Sequence, residues 1–186
     1  MRVVYWLMCG SLLMLLLGAI TVKSEERAPR PVAIEEWTEE AKVWTARSCV
    51  GEAGFDAVAE CAAIAWVYAT RANAGSKTYL EIARQYSEAI KRHSSHCRPW
   101  IFGLNLEGTK PKGWPRNMLW SKHNVLWRKL LVSLDEWAQG YVANPALGAN
   151  HYASRFEARV AYANGWTVVD TPEYFKNVFL NSRGRK

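Results

Sequence analysis

The chain has 186 residues, of which 49% are hydrophobic and 22% are charged, and its formal net charge is +7. These proportions exclude an intrinsically disordered chain, and the length is enough for one domain with its own hydrophobic core. A basic protein suits anionic polymers such as peptidoglycan, teichoic acid or nucleic acid, and the charge alone does not select among them.

Residues 1–24 hold an uncharged run of twenty residues that lies between Arg2 and Lys23. A helix of that length spans the ~30 Å hydrocarbon core of a bilayer. We therefore predict an N-terminal hydrophobic helix, either a cleaved signal peptide or an uncleaved signal anchor that makes the membrane a partner. Either form predicts export, so the domain is expected in the periplasm or cell envelope, membrane-anchored or secreted. Removing Arg2 and Lys23 leaves 22 basic against 17 acidic residues, a net charge of +5.

Residues 25–34 contain two prolines and charges of both signs, which is typical of a linker. We predict one domain over residues 35–182, followed by a basic, solvated tail at residues 183–186.

Four helices are predicted in the first part of the domain. The spacing of apolar residues places them at about residues 35–49, 57–73, 78–92 and 121–142. Asp56 is expected to cap the second helix and Gly75 to follow its end; this helix is apolar around most of its circumference and should be buried on nearly all sides. Thr78 and Glu81 form a capping-box pattern, and Pro145 marks the end of the fourth helix. The buried stripe of the fourth helix is predicted to contain Trp127, Leu130, Leu131, Leu134, Trp137, Ala138 and Tyr141.

The remaining segments are expected to be irregular or extended. Residues 94–120 are rich in Gly, Pro and Trp, which indicates a flap or a short hairpin. Tryptophans 100, 114 and 120 in this segment could stack on saccharides if exposed, but we expect core burial for at least two of them. Short runs that begin at His151, Thr167 and Val178 suit strands. The sequence thus predicts a mostly helical α+β domain with a small strand and loop lobe, and the lack of βαβ alternation excludes a doubly wound fold.

Cys49, Cys61 and Cys97 lie outside the hydrophobic segment. In an oxidising compartment two of them could form a disulfide, and three pairings are open; the alternative is plain buried thiols. His93 and His96 near Cys97 raise the possibility of zinc, but the paired spacing of a structural zinc site is missing. We predict no metal and no other cofactor.

Glu52 lies between Gly51 and Gly54, where the first helix is expected to end and just before the apolar second helix. Apolar surroundings remove hydration from a carboxyl group and favour its protonated form. Such a group can donate its proton to a glycosidic oxygen. The alternative interpretation is that Glu52 is exposed in a loop between two helices.

Three segments carry a resemblance to a known family. Residues 50–59, Val-Gly-Glu-Ala-Gly-Phe-Asp-Ala-Val-Ala, are similar to the opening motif of the cell-wall hydrolase family typified by the spore-cortex-lytic enzyme SleB. In that family a Gly-Glu-Ala segment precedes an Ala-Val-Ala helix that ends in Asn-Arg, where this chain has Thr70 and Arg71. Residues 144–152 resemble the family's Gly-Ala-Thr-His-Tyr segment, and residues 176–179 are similar to its Asn-His-x-Phe closing motif. The segments follow the family's order over about residues 45–180.

The resemblance implies a lysozyme-like fold with a cleft between a helical lobe and a smaller lobe. It also implies that Glu52 is the general acid of a lytic transglycosylase, which protonates the oxygen between N-acetylmuramic acid and N-acetylglucosamine. The muramic acid 6-hydroxyl then attacks its own anomeric carbon. A hydrolytic muramidase would instead need a second carboxylate roughly 5–9.5 Å away. Asp56 is the nearest in sequence and is better suited to capping a helix.

The same resemblance identifies candidate substrate-binding residues. These are His151, Tyr152, Arg71 and Asn150. A tyrosine and a histidine offer a flat face for a sugar ring and a hydrogen bond to its hydroxyl or acetamido groups. His151 could equally be an ordinary packed histidine, and Arg71 could have a purely structural role. We expect a monomer that binds peptidoglycan glycan strands, lyses the wall and does not bind nucleic acid.

The chain also departs from the family pattern. It lacks the arginine and the second acid of the usual Gly-Glu-Ala-Arg-Gly-Glu motif, and Thr70 and Asn177 replace an asparagine and a histidine. A second hypothesis is therefore a non-catalytic peptidoglycan-binding envelope protein on the same scaffold.

Overall fold

The computed structural model describes residues 31–33 and 35–182, so the expected N-terminal helix, most of the linker and the basic tail lie outside the described residues. The described part is a mixed α and β structure, as predicted. Its helices are α1 (Glu39–Glu52), α2 (Val58–Ala74), α3 (Tyr79–Gln85), α4 (Trp120–Ala138) and α5 (Arg155–Ala163), with 3₁₀ helices at Glu88–Ile90 and Pro99–Gly103. Its strands are β1 (His151–Ala153), β2 (Thr167–Val168) and β3 (Val178–Asn181). Within these residues no helix has both the length and the apolar character that crossing a bilayer requires.

Helix α1 begins four residues later than predicted and continues to Glu52. Thr38 is its N-cap, because its hydroxyl accepts a hydrogen bond from the Ala41 amide at 3.1 Å. The helix does not stop at Gly51, which is helical. A Cβ at Gly51 would overlap the Cβ of Ala89, so glycine is needed there for close packing rather than for a turn. The backbone leaves the helix only at Gly54, which has a φ of 103°.

Helix α2 is the central helix, and nine of its residues are buried. It packs against α1, α3 and α4 and also contacts β1. The prediction that Asp56 caps this helix is wrong: Ala57 occupies the N-cap position without a side-chain hydrogen bond, and Asp56 is exposed. Phe55 is buried and stacks on Trp100, and this contact sets the path of the chain into the helix. Gly75 follows the end of the helix, as predicted.

Helices α3 and α4 are both shorter than predicted. The capping box between Thr78 and Glu81 is confirmed, but α3 ends at Gln85 because Ser87 starts a separate 3₁₀ turn with its hydroxyl. Helix α4 ends at Ala138, shortly before Gly140, which has a φ of 81°. Tyr141 therefore lies beyond the helix and is 50% exposed, whereas the other six residues of the predicted stripe are buried.

The three predicted strands form an antiparallel sheet in the order β1-β3-β2. Tyr152 of β1 pairs with Phe179 of β3, and Val168 of β2 pairs with Leu180. Helix α5, which was not predicted from the sequence, lies between β1 and β2 and starts with a capping box between Ser154 and Glu157. The segment 94–120 contains a 3₁₀ helix instead of a hairpin, and Trp100 and Trp114 are buried as expected.

All three described cysteines are free thiols, so the disulfide alternative is not realised. Cys49 and Cys61 are buried, and burial raises the pKa of the Cys49 thiol. Cys97 is half-buried. Across residues 31–33 and 35–182 there is no group of three or more His, Cys, Asp or Glu side chains that could hold a metal ion.

The close contact between α1 and the Glu88–Ile90 turn gives a stability prediction. Gly51→Ala should lower the free energy of unfolding by about 1–3 kcal/mol, because the new methyl group overlaps the Ala89 side chain. The double variant Gly51→Ala/Ala89→Gly removes the overlap and should recover most of the loss. Urea denaturation followed by circular dichroism measures both values. Equal stability of the single variant and the wild type would contradict the packing described.

Candidate functional site

A groove of about 770 Å³ opens at the C-terminal end of α1. The end of α1 and the 86–89 segment form one side, together with residues 95–98. The other side consists of residues 152–157 at the β1–α5 junction and of Lys176 and Asn177. The groove therefore lies between the helical part of the molecule and the part that contains the sheet.

Glu52 is the last residue of α1, is half-buried and lines this groove. The hydroxyl of Ser87 donates a hydrogen bond of 2.6 Å to its Oε1. Ser87 is itself fixed, because it is 1% exposed and its Oγ accepts from the Ala89 amide at 3.1 Å. Among the described residues the other oxygen of Glu52 has no hydrogen-bond partner. The arrangement holds one carboxyl oxygen and leaves the second for a ligand in the groove.

Three tyrosines surround the Glu52 carboxyl group. The hydroxyls of Tyr68 and Tyr152 lie 3.0 Å apart, and the rings of Tyr86 and Tyr152 pack edge to face with centroids at 5.3 Å. Burial raises the pKa of all three, and the negative charge of Glu52 acts in the same direction. The tyrosines thus stay neutral near pH 7; Tyr86 and Tyr152 line the groove with Glu52, whereas Tyr68 is fully buried.

The other predicted binding residues meet on the far side of Tyr86. Nη1 of Arg71 lies 3.3 Å from the Asn150 carbonyl oxygen and 3.2 Å from Nδ1 of His151. The Tyr86 hydroxyl is 2.9 Å from the same Nδ1, and the Arg71 guanidinium lies over the Tyr86 ring at 4.4 Å. Burial, and secondly the charge of Arg71, lower the pKa of His151 to about 4. His151 is therefore neutral at pH 7.

The structure thus divides the predicted residues between two places. Tyr152 lines the groove with Glu52. Arg71, Asn150 and His151 line an adjoining cavity, and Tyr86 forms part of the wall of both.

Glu60 is a structural carboxylate that the sequence analysis missed. It lies within α2, is 2% exposed and accepts three hydrogen bonds: from the Lys176 amide at 3.0 Å, and from the amide and Nδ2 of Asn177 at 2.8 Å each. These bonds fix both residues on the wall of the groove. An acid in an otherwise apolar helix was a usable signal, because buried carboxylates need partners.

Lys176 and Ser87 were also missed. The Lys176 ammonium donates to the Ala53 carbonyl, at the C-terminal end of α1, where the helix dipole favours a cation. Its partner, Ala53, directly follows Glu52 in the chain, so this hydrogen bond brings Lys176 to the end of α1 that carries Glu52. Ser87 follows the end of α3, and nothing in its local sequence indicates that it contacts a residue 35 positions earlier.

Two further carboxylates line the groove, and each has a local partner. Glu88 pairs with Lys91, and this hydrogen bond lowers the pKa of Glu88. Glu157 caps α5 through the amide and hydroxyl of Ser154, at 3.0 and 2.7 Å. Asp56 is not among the residues that line the groove.

The chain was compared with protein-family models, with curated proteins and with solved structures, and none of the three comparisons gives a match. The likeness to the cell-wall hydrolase family accordingly stays a prediction from the three motifs.

The hydrogen bonds to Glu60 give a second stability prediction. Glu60→Gln replaces one acceptor oxygen by an NH₂ group that faces other donors, so the free energy of unfolding should fall by about 1–3 kcal/mol. Glu136→Gln, on the exposed face of α4, is the matched control and should change it by less than about 0.5 kcal/mol. Thermal and urea denaturation of the two variants test this. If Glu60→Gln were as stable as the control, the hydrogen bonds to Glu60 would not contribute to the stability of the fold.

The environment of His151 predicts a pH dependence. Its pKa of about 4 lies below the ordinary 6.5, so the unfolded chain binds more protons between these values. This residue's contribution should therefore make the folded state less stable as the pH falls from 6.5 to 4. NMR titration of the imidazole Cε1 proton, assigned with a His151→Asn variant, measures the pKa directly. Arg71→Met should raise this pKa, because it removes a neighbouring positive charge. A pKa near 6.5 for His151 in the wild type would contradict the burial of its imidazole ring.

Proposed function

We propose that this protein is an exported enzyme that cleaves the glycan strands of peptidoglycan between N-acetylmuramic acid and N-acetylglucosamine. The observation that carries the proposal is the position of Glu52: a half-buried carboxyl group in an open groove, with one oxygen held by Ser87. The groove volume of about 770 Å³ falls within the range of ligand sites in proteins. Helices on one side of the groove and a small sheet on the other support a lysozyme-like fold.

The proposed reaction uses Glu52 first as an acid and then as a base. The protonated carboxyl group donates its proton to the glycosidic oxygen, and the bond from that oxygen to C1 of the muramic acid breaks. The 6-hydroxyl of the same sugar attacks C1, and the Glu52 carboxylate accepts the proton of that hydroxyl. The products are a free N-acetylglucosamine 4-hydroxyl and a 1,6-anhydromuramic acid end, and the carboxyl group is regenerated.

The surroundings of Glu52 support its part in both steps. The Ser87 hydroxyl stabilises the carboxylate after the proton has left and fixes the direction of the second oxygen. Tyr152 lines the same groove, and an aromatic residue there suits the face of a pyranose ring.

The lytic transglycosylase outcome is favoured over hydrolysis. A hydrolytic muramidase needs a second carboxylate to activate water or to attack the sugar. In the part of the chain that the structure describes, the two other carboxylates of the groove already have partners: Glu88 pairs with Lys91, and Glu157 caps α5. The transglycosylase reaction needs only Glu52.

Product analysis with a Glu52 variant tests this proposal. Wild-type protein incubated with purified peptidoglycan should release anhydro-muropeptides, which mass spectrometry identifies. Glu52→Gln should lower the release at least about 100-fold, because it removes the proton donor and leaves the shape of the groove. Glu88→Gln, a change of the same kind in the same groove, is the control and should keep the rate within a few-fold of wild type.

Other results would each exclude part of the proposal. Reducing ends in place of anhydro ends would replace transglycosylation by hydrolysis. Equal release by wild type and Glu52→Gln would remove Glu52 as the catalytic acid. Co-sedimentation with peptidoglycan and no release of fragments would instead favour a non-catalytic wall-binding protein.

A further inference from the structure

A second cavity of about 580 Å³ lies on the far side of Tyr86 from Glu52. The chain from the last turn of α2 to Lys77 forms one wall, and Gln85 of α3 and the start of β1 complete it. Tyr86 also lines the Glu52 groove, so one tyrosine ring is part of the wall of both spaces. A ligand bound in the groove could therefore extend a branch into this cavity.

The ionisable residues of this cavity differ from those of the groove. Arg71, Lys77 and His151 line the cavity, and no carboxylate is present among the described residues that line it. The Glu52 groove, in contrast, contains three glutamates. Since His151 is neutral at pH 7, Arg71 and Lys77 give the cavity its positive charge.

Both cations have a hydrogen-bond partner in the wall, although Lys77 is exposed to solvent whereas Arg71 is half-buried. The Lys77 ammonium donates to Oε1 of Gln85 at 2.7 Å. Arg71 lies over the Tyr86 ring at 4.4 Å and donates to the Asn150 carbonyl oxygen at 3.3 Å. Its Nε is buried and has no hydrogen-bond partner among the described residues. Arg71 is thus fixed in position and can bind a carboxylate without a large loss of side-chain entropy.

The cavity also offers polar groups that can bind amides. Gln85 and Asn150 belong to its wall; their side-chain oxygens already accept from Lys77 and Ser182, so their NH₂ groups remain to donate to peptide carbonyls. The last turn of α2 adds backbone carbonyls without partners inside the helix, since only the Ala72 carbonyl accepts from Gly75 in the cap. Cations for carboxylates, NH₂ donors for peptide carbonyls and helix-end carbonyls for peptide N–H groups together match an acidic peptide better than a simple anion.

We propose that this cavity binds the peptide stem of peptidoglycan, an inference that rests on the glycan cleavage proposed above. The stem is attached to the lactyl group of the muramic acid, the same sugar whose anomeric carbon would react beside Glu52. It carries free carboxylates and a row of amides. A stem that leaves the groove past Tyr86 reaches Arg71 and Lys77. The protein therefore prefers stem-bearing strands to bare glycan.

Paired substrates and a charge reversal test this inference in the full-length protein. Peptidoglycan strands with intact stems should be cleaved with a kcat/KM at least about tenfold above that for strands stripped of stems by an amidase. Lys77→Glu should lower this ratio towards one, because a carboxylate replaces the cation at the mouth of the cavity. Lys129→Glu, an equal charge reversal on the exposed face of α4, should leave the ratio as in wild type.

A binding measurement separates this inference from the proposed activity. A soluble tetrapeptide stem should bind the wild type, and Lys77→Glu should weaken binding about tenfold while Lys129→Glu does not. Equal rates on both substrates, or peptide binding unaffected by Lys77→Glu, would overturn the stem site and leave glycan cleavage intact. Inorganic phosphate that binds as tightly as the peptide would also overturn it and indicate a general anion site. Peptide binding without cleavage of either substrate would support the cavity and reject the enzyme.

Discussion

The three hydrogen bonds from Lys176 and Asn177 to the buried carboxylate of Glu60 are the contact on which the groove depends. A carboxylate inside a protein is tolerated only when donors replace the water that it has lost. Here those donors come from a segment more than a hundred residues away, so satisfying Glu60 places that segment against α2. The following residues form β3, which pairs with β1 and thereby positions Tyr152 beside Glu52. The Lys176 ammonium also reaches the Ala53 carbonyl. One buried acid in this way positions residues around a second, more exposed acid.

The opposite side of the groove depends on close packing. Gly51 lets the turn that contains Ser87 and Ala89 approach α1 closely, and this approach brings the Ser87 hydroxyl to Glu52. The tyrosines complete the arrangement: Tyr68 bonds to Tyr152, and Tyr86 separates the groove from the cationic cavity. A change in the position of the Tyr86 ring would alter the wall of both the groove and the cavity. The candidate catalytic groove and the proposed peptide site therefore share one wall residue.

Secondary-structure elements were predicted well where residues close in the sequence determine them. The capping box of Thr78 and the apolar circumference of α2 are properties of neighbouring residues, and both predictions are confirmed. Gly51 was interpreted as a helix breaker because its actual role, contact with Ala89, is visible only in three dimensions. Helix α5 was missed because Ala158 is its only buried residue, while Phe156 is 77% exposed. The position of Glu52 at a helix end was predictable. Its hydrogen bond to Ser87 was not, since tertiary packing alone brings these residues together.

The order of the strands has a consequence for how the protein matures. Among the described residues β3 is both the middle strand of the sheet and the last strand in sequence, so β1 and β2 pair only once residues 178–181 are present. Contacts among α1, α2 and α3 are closer in sequence and form more readily. A partly synthesised chain therefore contains the carboxyl group of the site but lacks one of its walls. An enzyme of the proposed kind would therefore be inactive until β3 has paired with β1 and completed the groove.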